Sequence, residues 1–292
     1  MSPMSLWDAG VDLGATLAKA VAIPADRPLE SFETFVAPAD DDRLLDAFLL
    51  RHSLRHLAAT GGGASSLAER FSPGRSVAVV DEFASWGAGE ALLTARAGLA
   101  LHDPHLLVSL GTGTSILRMG PSGAVARVGG TALGGGTLRG LGRLLLGTDD
   151  HERLVALAAT GDRRRVDLLI GDLYRPGGIA LVPDLTAANF GKAHDVRDPR
   201  AADVAHALLG LVGENVALLA GQIAVALSTA ADGTAPRRRP DVLYAGSTLR
   251  NNPLLVEILS SVTALVGAQA SFLPLGEFTG ALGALARVRA GA

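Results

Sequence analysis

Two segments of this chain repeat one pattern, in which an apolar strand is followed by a turn of glycine and threonine and then by a second strand. The first turn, Asp12–Thr16, begins within the run AGVDL, and the second, Gly111–Ser115, follows LLVSL. Each pattern predicts a β-hairpin. A loose internal repeat of this kind favours two similar lobes, so we expect an N-terminal lobe at residues 1–100 and a C-terminal lobe at residues 101–292.

Segments with helical and strand periodicity alternate along the rest of the chain. In the first half, Leu44–Leu57 and Ala88–Leu99 have helical spacing, and Ser76–Val80 (SVAVV) predicts a buried strand. In the second half we predict strands at 106–110, 115–119, 241–244 and 268–273, a glycine loop at 129–136, and helices at 137–147, 150–160, 164–174, 202–229, 253–264 and from about 280. This alternation favours the α/β class with largely buried strands.

Composition excludes several classes of function. The formal net charge is −3 and there is no long basic run, so we expect no nucleic-acid partner. The chain has no cysteine, which excludes disulfides, thiolate catalysis and cysteine-bound zinc. The N-terminus lacks the pattern of a signal peptide, and the apolar stretch Leu208–Leu227 is interrupted by Glu214, Asn215 and Gln222. We therefore expect a buried helix there, no membrane association and a cytoplasmic protein.

The first turn carries the residues that a metal–phosphate site needs. Asp12 ends a strand, and Gly14 and Thr16 follow in a tight turn. A carboxylate in this position can hold a hydrated Mg²⁺ while backbone N–H groups face a phosphate. The pattern is short, however, and a turn aspartate that accepts backbone hydrogen bonds would explain it equally well.

Two further glycine segments strengthen the case for an anion site. Gly111–Ser115 (GTGTS) offers three hydroxyls on a glycine turn, although an ordinary hairpin has the same pattern. Gly134–Gly136 directly precede a predicted amphipathic helix, where a backbone without Cβ atoms and a helix N-terminus both favour a bound anion. The chain contains neither a P-loop motif nor the dinucleotide fingerprint. The glycines therefore predict a different type of nucleotide site.

Two neighbouring acidic residues are candidates for a catalytic base. Asp81 and Glu82 follow the predicted strand 76–80, and a carboxylate at the end of a buried strand faces the cleft where α/β proteins bind ligands. Asp81 could equally be a helix cap. Glu214 lies within an apolar helical segment, where we expect a structural group. The run Arg163–Arg165 is typical of a solvated surface.

A series of short segments, in one order along nearly the whole chain, resembles the type II pantothenate kinases. The segments are Asp12–Lys19, Thr60–Gly62, Gly111–Ser115, Arg127–Thr137 with Gly140–Gly142, Gly161–Asp162, Val166–Leu168 with Tyr174, Asp184–Gly191, Gly213–Glu214, Tyr244–Ser247 with Asn251–Asn252, and Gly276–Leu285. Single segments are unspecific. The ordered combination, above all RVGGTALGGGT with DLTAANFG, is specific.

The resemblance implies a fold, a reaction and partners. The fold would be two-lobed and actin/hexokinase-like, a duplicated ribonuclease H-like α/β fold of the acetate/sugar kinase–heat-shock–actin superfamily, with an ATP cleft between the lobes. The reaction would transfer the γ-phosphoryl group of ATP to pantothenate, with Mg²⁺, in the first step of coenzyme A biosynthesis. The resemblance also implies a homodimer and possible binding of coenzyme A or acyl-CoA in the same cleft.

The same resemblance assigns roles to individual residues. Glu82 matches the catalytic base, Arg127 the residue that holds pantothenate, and Thr112 and Ser115 the hydroxyls on the substrate side. The residues matched to the nucleotide are Asp12, which is also matched to the metal, Gly14, Thr16, Lys19, Thr114, Gly134, Gly135, Gly136 and Gly246.

The chain departs from the family pattern beside the base. The family commonly has Glu-x-Asp there, whereas this chain has Asp81-Glu82-Phe83-Ala84, so Asp81 stays an alternative base. Two alternative functions also stay open. One is a kinase of the same fold that acts on another small alcohol, such as an amino sugar or a pantothenate analogue. The other is a catalytically inactive regulator that binds a nucleotide or acyl-CoA.

Overall fold

The structure is a computed structural model that describes residues 6–71, 74–174, 182–229 and 238–291, apart from the side chain at 122. Two five-stranded sheets form its framework, together with a small two-stranded sheet. Helices cover the outer face of each five-stranded sheet, and two further helices lie between the sheets. The structure therefore confirms the α/β prediction.

The first sheet is built from the first eighty residues. Its strands are β1 (Leu6–Leu13), β2 (Leu17–Pro24), β3 (Glu33–Pro38), β4 (Ser53–Thr60) and β5 (Ala78–Val79), and the helices of this region are α1 (Asp42–Leu50), α2 (Ala64–Phe71) and α3 (Glu82–Ala97). The strand order is β3-β2-β1-β4-β5, with β1–β2–β3 antiparallel and β4 parallel to β1. Asp12 pairs across the hairpin with Lys19, and Thr60 lies opposite Asp12 in β4. The end of β1 therefore collects polar side chains.

The second sheet repeats the hairpin and adds strands from the end of the chain. Its strands are β6 (His105–Leu110), β7 (Thr114–Met119), β8 (Val125–Thr131), β11 (Asp241–Ala245) and β12 (Gln269–Phe272), in the order β12-β11-β6-β7-β8. The remaining elements are α4 (Gly135–Leu146), α5 (His151–Ala158), β9 (Leu168–Leu169), α6 (Ile170–Leu173), β10 (Thr186–Ala188), α7 (Ala201–Ser228), α8 (Pro253–Leu265) and α9 (Thr279–Arg289).

The central strands are apolar along their length because both of their faces are buried. In β6, Leu106 and Val108 pack with α7 and α8 on the outer face, whereas Leu107 faces the layer between the sheets. In β2, Ala20 and Ala22 face α1 and α2, whereas Val21 and Ile23 face inward. Successive side chains of a strand point to opposite faces, so two buried faces require an unbroken apolar run.

Helices α3 and α9 form the layer between the two sheets, and glycines let them approach closely. A Cβ atom at Gly283 would lie 1.7 Å from the carbonyl oxygen of Ser85, and one at Gly89 would lie 1.9 Å from that of Thr279. A Cβ atom at Gly10 of β1 would lie 2.1 Å from the carbonyl oxygen of Ala281. This packing fixes the N-terminus of α3, which carries Glu82, beside the end of β1.

Arg289, in the last turn of α9, ties this helix to the first strand. Its Nε donates to Oδ2 of the fully buried Asp8 at 2.7 Å, and Arg55 donates to both oxygens of the same carboxylate. Burial alone would raise the pKa of Asp8, but the hydrogen bonds from the two arginines outweigh it and lower the pKa. The C-terminal helix thus belongs to the core of the first sheet.

Helix α7 is long and apolar enough to cross a membrane by length and composition, yet 61% of its most apolar window is buried inside the protein. Leu208, Val212 and Val216 pack with α8 and the second sheet in the largest hydrophobic cluster. The expectation of a buried helix over Leu208–Leu227 is confirmed.

Several local predictions were wrong, each for a physical reason. Leu44–Leu57 is not one helix, because β4 begins at Ser53 and pairs with β1. The predicted buried strand at 76–80 is only the short, exposed β5. Much of the predicted glycine loop at 129–136 is the end of β8 and the start of α4, and the predicted helix at 164–174 contains β9 and α6. The boundary between lobes near residue 100 stays a prediction.

Candidate active site

The two glycine–threonine turns, although they come from different sheets, meet face to face. The hydroxyl oxygens of Thr16 and Thr112 are 2.8 Å apart, which is a hydrogen bond between residues 96 positions apart in sequence. Both turns line one cleft with a volume of about 790 Å³. Pockets for small ligands commonly have volumes of about 300–1,000 Å³, so the cleft has the size of a ligand site.

The cleft collects most of the residues that the sequence singled out. The predicted site residues that line it are Asp12, Gly14, Thr16, Lys19, Glu82, Thr112, Thr114, Ser115, Arg127, Gly135 and Gly136. Gly134 and Gly246 are not part of the lining. Gly134 packs beneath the second turn, where a Cβ atom would lie 2.7 Å from the carbonyl oxygen of Thr112. Gly246 has a φ of +116° and packs against Leu110, so it lets the chain turn after β11.

Asp12 is buried at the floor of the cleft and has one cationic partner. Its Oδ2 accepts a hydrogen bond from Nζ of Lys19 at 2.8 Å. Two glycines leave space for the carboxylate, because a Cβ atom at Gly61 would lie 2.7 Å from Oδ1 and one at Gly280 would lie 2.9 Å from Oδ2. Gly61 also has a φ of +86°, which disfavours other residues there. The chain thus builds a slot around a single carboxylate.

Glu82 is the second acidic group of the cleft, and its pKa is raised. The cleft walls withdraw water from its carboxyl group, which is the main cause of the shift. The negative charge of Asp12 and that of Asp81 raise the pKa further, and Lys19 partly offsets them. The side chain still reaches solvent through the open cleft. A carboxylate with a raised pKa in a cleft has the character of a general base.

Asp81, the alternative base, has a different position. It is the N-cap of α3, and its Oδ1 accepts a hydrogen bond from the backbone N–H of Ala84 at 2.8 Å. It does not line the cleft. This geometry matches that of a helix cap and leaves Glu82 as the acidic side chain of α3 that faces the cleft.

The second turn is held by the first residues of α4. The backbone N–H of Gly135 donates to the carbonyl oxygen of Gly111, and that of Gly136 donates to Thr112, both at 2.8 Å. These two amides therefore fix the turn. The hydroxyl of Thr114 is also used, since it donates to the carbonyl oxygen of Leu133 at 2.7 Å. Ser115 also lines the cleft, and its hydroxyl has no hydrogen-bond partner among the residues that the structure describes.

Arg127 brings a positive charge to the cleft from β8. Its side chain is exposed, and no ion pair joins it to an acidic group within the described ranges. The guanidinium group lies over Gly130, where a Cβ atom would be 2.6 Å from Nη2. An arginine that is open to a cleft in this way can bind a carboxylate with two parallel hydrogen bonds.

Four polar residues of the cleft lining were missed at the level of sequence. Arg139, Asp149, His151 and Arg250 line the cleft, contributed by α4, by the segment that leads into α5, by the first residue of α5 and by the loop before α8. Arg139 contacts Asp149 at 3.4 Å, and Nε2 of His151 is 2.9 Å from the carbonyl oxygen of Arg250. These residues carry no glycine or hydroxyl motif, and only tertiary packing brings them together.

The arginine run at 163–165 also differs from its prediction. Arg163 is largely buried, and its Nη2 pairs with Oε1 of Glu214 in α7 at 2.7 Å. It also contacts Thr186 and Asp167. Glu214 is thus a paired structural group, as expected, whereas the prediction of a solvated position was wrong for Arg163. The partner is about fifty residues away in sequence and therefore could not be read from the run itself.

Solved structures define the class of this fold. The activator of the 2-hydroxyisocaproyl-CoA dehydratase from Clostridium difficile, solved with bound ADPNP, matches with a TM-score of 0.59 at 14% identity, over 96% of this chain and 92% of that one. A ROK family glucokinase from Streptomyces griseus, solved with glucose and AMPPNP, matches with a TM-score of 0.52 at 17% identity, over 98% and 100%. The chain has the actin/hexokinase-like ATPase fold, as predicted.

Sequence comparison then gives the family. The family model described as Fumble matches residues 26–287. A type II pantothenate kinase from Bacillus cereus (strain ZK / E33L) is 33% identical over 279 residues, covering 94% of this chain and 95% of the relative. One from Staphylococcus aureus (strain USA300) is 32% identical over 278 residues, covering 94% and 97%. The chain belongs to the Fumble family, the family of the type II pantothenate kinases, which confirms the resemblance stated above.

Proposed function

We propose that this protein is a pantothenate kinase that transfers the γ-phosphoryl group of ATP to the primary hydroxyl of pantothenate, giving 4'-phosphopantothenate in the first step of coenzyme A biosynthesis. The main support is the name of its full-length relatives, type II pantothenate kinase. The cleft supports the same reaction, since it combines an acidic group of raised pKa with an arginine open to a carboxylate.

In this proposal the charged groups of the cleft carry out the transfer. Glu82 accepts the proton of the acceptor hydroxyl as its oxygen attacks the γ-phosphorus, and the bond from that phosphorus to the bridging oxygen of ADP breaks. Arg127 binds the carboxylate of pantothenate and thereby sets the distance between the hydroxyl and Glu82. Thr112 and Ser115 supply hydroxyls on the acceptor side. In phosphoryl transfer the protein acts mainly by positioning groups and neutralising charge.

The nucleotide side of the proposal uses the two turns. Gly14 and Thr16 of the first turn and Lys19 of β2 face the phosphates, and Gly135 and Gly136 hold the second turn in place. Gly134 and Gly246 contribute through the backbone conformation rather than by contact, since both lie outside the cleft lining. Thr114 contributes in the same way, because its hydroxyl already donates to Leu133.

The residues present fit a magnesium ion that is shared with the nucleotide. The described residues contain no cluster of three or more acidic or histidine side chains able to hold a metal. Mg²⁺ commonly keeps several waters and binds one or two carboxylates together with substrate phosphates. The slotted carboxylate of Asp12 would be that ligand. When bound, Mg²⁺ supplies positive charge that neutralises the phosphate oxygens.

A coupled assay for ADP release tests the proposal. The purified protein is given ATP, Mg²⁺ and pantothenate, or one of a panel of amino sugars and other small alcohols. Turnover with pantothenate at a kcat/KM well above that of every other alcohol is expected. Turnover with another alcohol in its place would identify a kinase of different specificity. Binding of ATP or acyl-CoA in a calorimetric titration, with no turnover of any alcohol, would identify a regulator that lacks catalysis.

Three parts of the proposal rest on the family resemblance or, for the location, on the sequence pattern described above. We infer a homodimer, a cytoplasmic location and binding of coenzyme A or its thioesters in the same cleft. Analytical ultracentrifugation measures the first directly, and fluorescence microscopy of a tagged chain tests the second. Competition between acyl-CoA and ATP in a calorimetric titration tests the third, and additive binding of the two ligands would argue against a shared cleft.

A further inference from the structure

Few of the residues that line the cleft have large apolar side chains, and this makes those few informative. Glycine, serine, threonine and charged residues form most of the surface. The larger apolar side chains in it are Leu17, Pro38 and Trp86, and Trp86 is the only aromatic one among the described lining residues. Leu17 and Pro38 pair with each other across β2 and β3, beside the first turn. Trp86 stands apart from them on α3.

Helix geometry places Trp86 beside Glu82. The two residues are four positions apart in α3, so they share one face, with Cβ atoms about 5–6 Å apart. Both line the cleft. Side chains of a helix lean toward its N-terminus, so the indole of Trp86 covers the turn that carries Glu82. Helix geometry therefore places apolar indole surface next to the candidate base.

Packing makes this surface rigid. Only 6% of Trp86 is exposed, and the rest of the side chain belongs to the cluster between the sheets with Leu107, Leu117 and Met119. A ring held on all other sides cannot move away to admit a different substrate shape at low cost. Trp86 thus offers the cleft a fixed apolar wall.

The chemistry of the acceptor matches this wall. In pantothenate the carbon next to the reacting hydroxymethyl group carries two methyl groups, so a bulky apolar centre lies two bonds from the oxygen that Glu82 would deprotonate. We propose that Trp86 is a specificity-determining residue that packs against this branched carbon and makes the protein select alcohols branched at that position. The proposal rests on the proposed function and deepens it, because it concerns which acceptor shapes the same site takes.

The expected discrimination follows from the size of the contact. One methylene group in an apolar pocket commonly changes kcat/KM by about 10- to 200-fold. We therefore expect the protein to prefer pantothenate over the analogue in which both methyl groups are hydrogen by a factor of at least about 10². Replacing the indole with a smaller side chain removes part of the contact, so the preference should fall by about 10-fold in Trp86→Leu.

The test compares kcat/KM for pantothenate and for this analogue in the wild type, Trp86→Leu and Trp86→Phe, with Trp7→Phe as the control. Trp7 is half-buried in β1, its ring centroid lies 4.3 Å from that of His52 with the two planes tilted by 36°, and it does not line the cleft. We expect the preference to fall in both Trp86 variants, more in Trp86→Leu, and to stay unchanged in Trp7→Phe. An unchanged preference in soluble, folded Trp86 variants would overturn the role of Trp86.

A binding measurement covers the case in which the Trp86 variants do not fold. The chain has two tryptophans, so Trp86 is the only one left in Trp7→Phe. Its emission should change saturably with pantothenate and with a higher dissociation constant for the unbranched analogue. Equal responses to the two compounds, or none, would overturn the role of Trp86. Absence of turnover of pantothenate by the wild type would instead overturn the proposed function, and the two failures are thus distinct.

Discussion

The two glycine–threonine turns have similar sequences and similar positions in their sheets, but they differ in charge. The first turn carries the Asp12–Lys19 ion pair and faces Glu82, so it gathers most of the charge at its end of the cleft. The second turn carries hydroxyls and is held by backbone hydrogen bonds from α4. Arg127, a positive charge on that side, comes from the neighbouring β8.

This difference shows that one local backbone shape can serve two purposes. The first turn has the groups for proton transfer and for charge neutralisation, which act in the transition state. The second turn and β8 have the groups for binding and orientation. If this division holds, substitutions beside the first turn should lower kcat, and those beside the second should raise KM. The following experiments test whether the two turns have these separate roles, in order of decreasing expected effect.

Glu82→Gln should have the largest effect. It removes the proton acceptor, so kcat should fall by about 10²–10⁴-fold with nearly unchanged ATP binding. The base must be ionised to act, and the pKa of Glu82 is raised. The acid limb of the wild-type profile of kcat/KM against pH should therefore have an apparent pKa above 4.5, the ordinary value for glutamate.

Stability provides the control for Glu82→Gln. A raised carboxyl pKa means that the native state favours the protonated form of Glu82. This preference stabilises the native state fully below the unfolded-state pKa, and the stabilisation is lost as pH rises through the native-state pKa. The variant should therefore be no less stable than the wild type at neutral pH in thermal unfolding. Wild-type turnover in Glu82→Gln would remove this residue from the reaction.

Asp12→Asn should have the next largest effect. It removes the only acidic group in the slot, so kcat should fall by about 10²–10³-fold, since charge neutralisation is worth several kcal/mol. Because Asp12 raises the pKa of Glu82, that pKa should also fall in the variant. Carbon-13 NMR titration of the glutamate carboxyl measures it. Thr112→Val, on the second turn, should leave this pKa unchanged, and an equal shift in both variants would contradict the division.

Arg127→Ala tests the binding side of the comparison. Loss of a charge-assisted hydrogen bond costs about 1.5–3 kcal/mol, so KM for pantothenate should rise by about 10- to 150-fold while kcat changes little. Arg127→Lys keeps the charge but not the two parallel hydrogen bonds and should give an intermediate KM. A rise in KM for ATP alone would place Arg127 on the nucleotide side instead.

The contact between the turns should give the smallest effect. Thr16→Val and Thr112→Val each remove one partner of a neutral hydrogen bond, which is worth about 0.5–1.5 kcal/mol of unfolding free energy. Urea denaturation of the two single variants and the double variant gives their coupling energy. The double variant should lose less than the sum of the single losses, and Thr16→Ser should keep the bond. Fully additive losses would show that the two hydroxyls do not interact.

The fold and much of the cleft could be predicted because their signals are local. Carboxylates, glycines and threonines at strand ends are visible in a short window, and Asp12 and Glu82 were found in this way. Trp86 could not be found, because a tryptophan on a helix has the same pattern whether it packs in a core or borders a cleft. Only the position of α3 against the second sheet distinguishes the two.

Two of the errors in the predicted elements have a common cause, which is pairing with another strand of the sheet. Glycines lower strand propensity, so the end of β8 was predicted as a loop, but pairing with β7 keeps it extended. The leucines of Ser53–Thr60 fit a helical period, but pairing with β1 makes this segment a strand. In both cases the deciding partner is a strand from another part of the chain.

The hydrogen bond from Arg289 to Asp8 joins residues 281 positions apart and has a consequence for biosynthesis. The first sheet is synthesised early, whereas α9, which packs on its inner face together with α3, is the last of the described elements to be synthesised. At a translation rate of about 5–20 residues per second, the 218 residues between the end of β4 and the start of α9 take roughly 10–40 s to emerge. Throughout that interval the strands that carry the candidate metal ligand lack α9 on their inner face, so the active site is completed only after α9 has been synthesised.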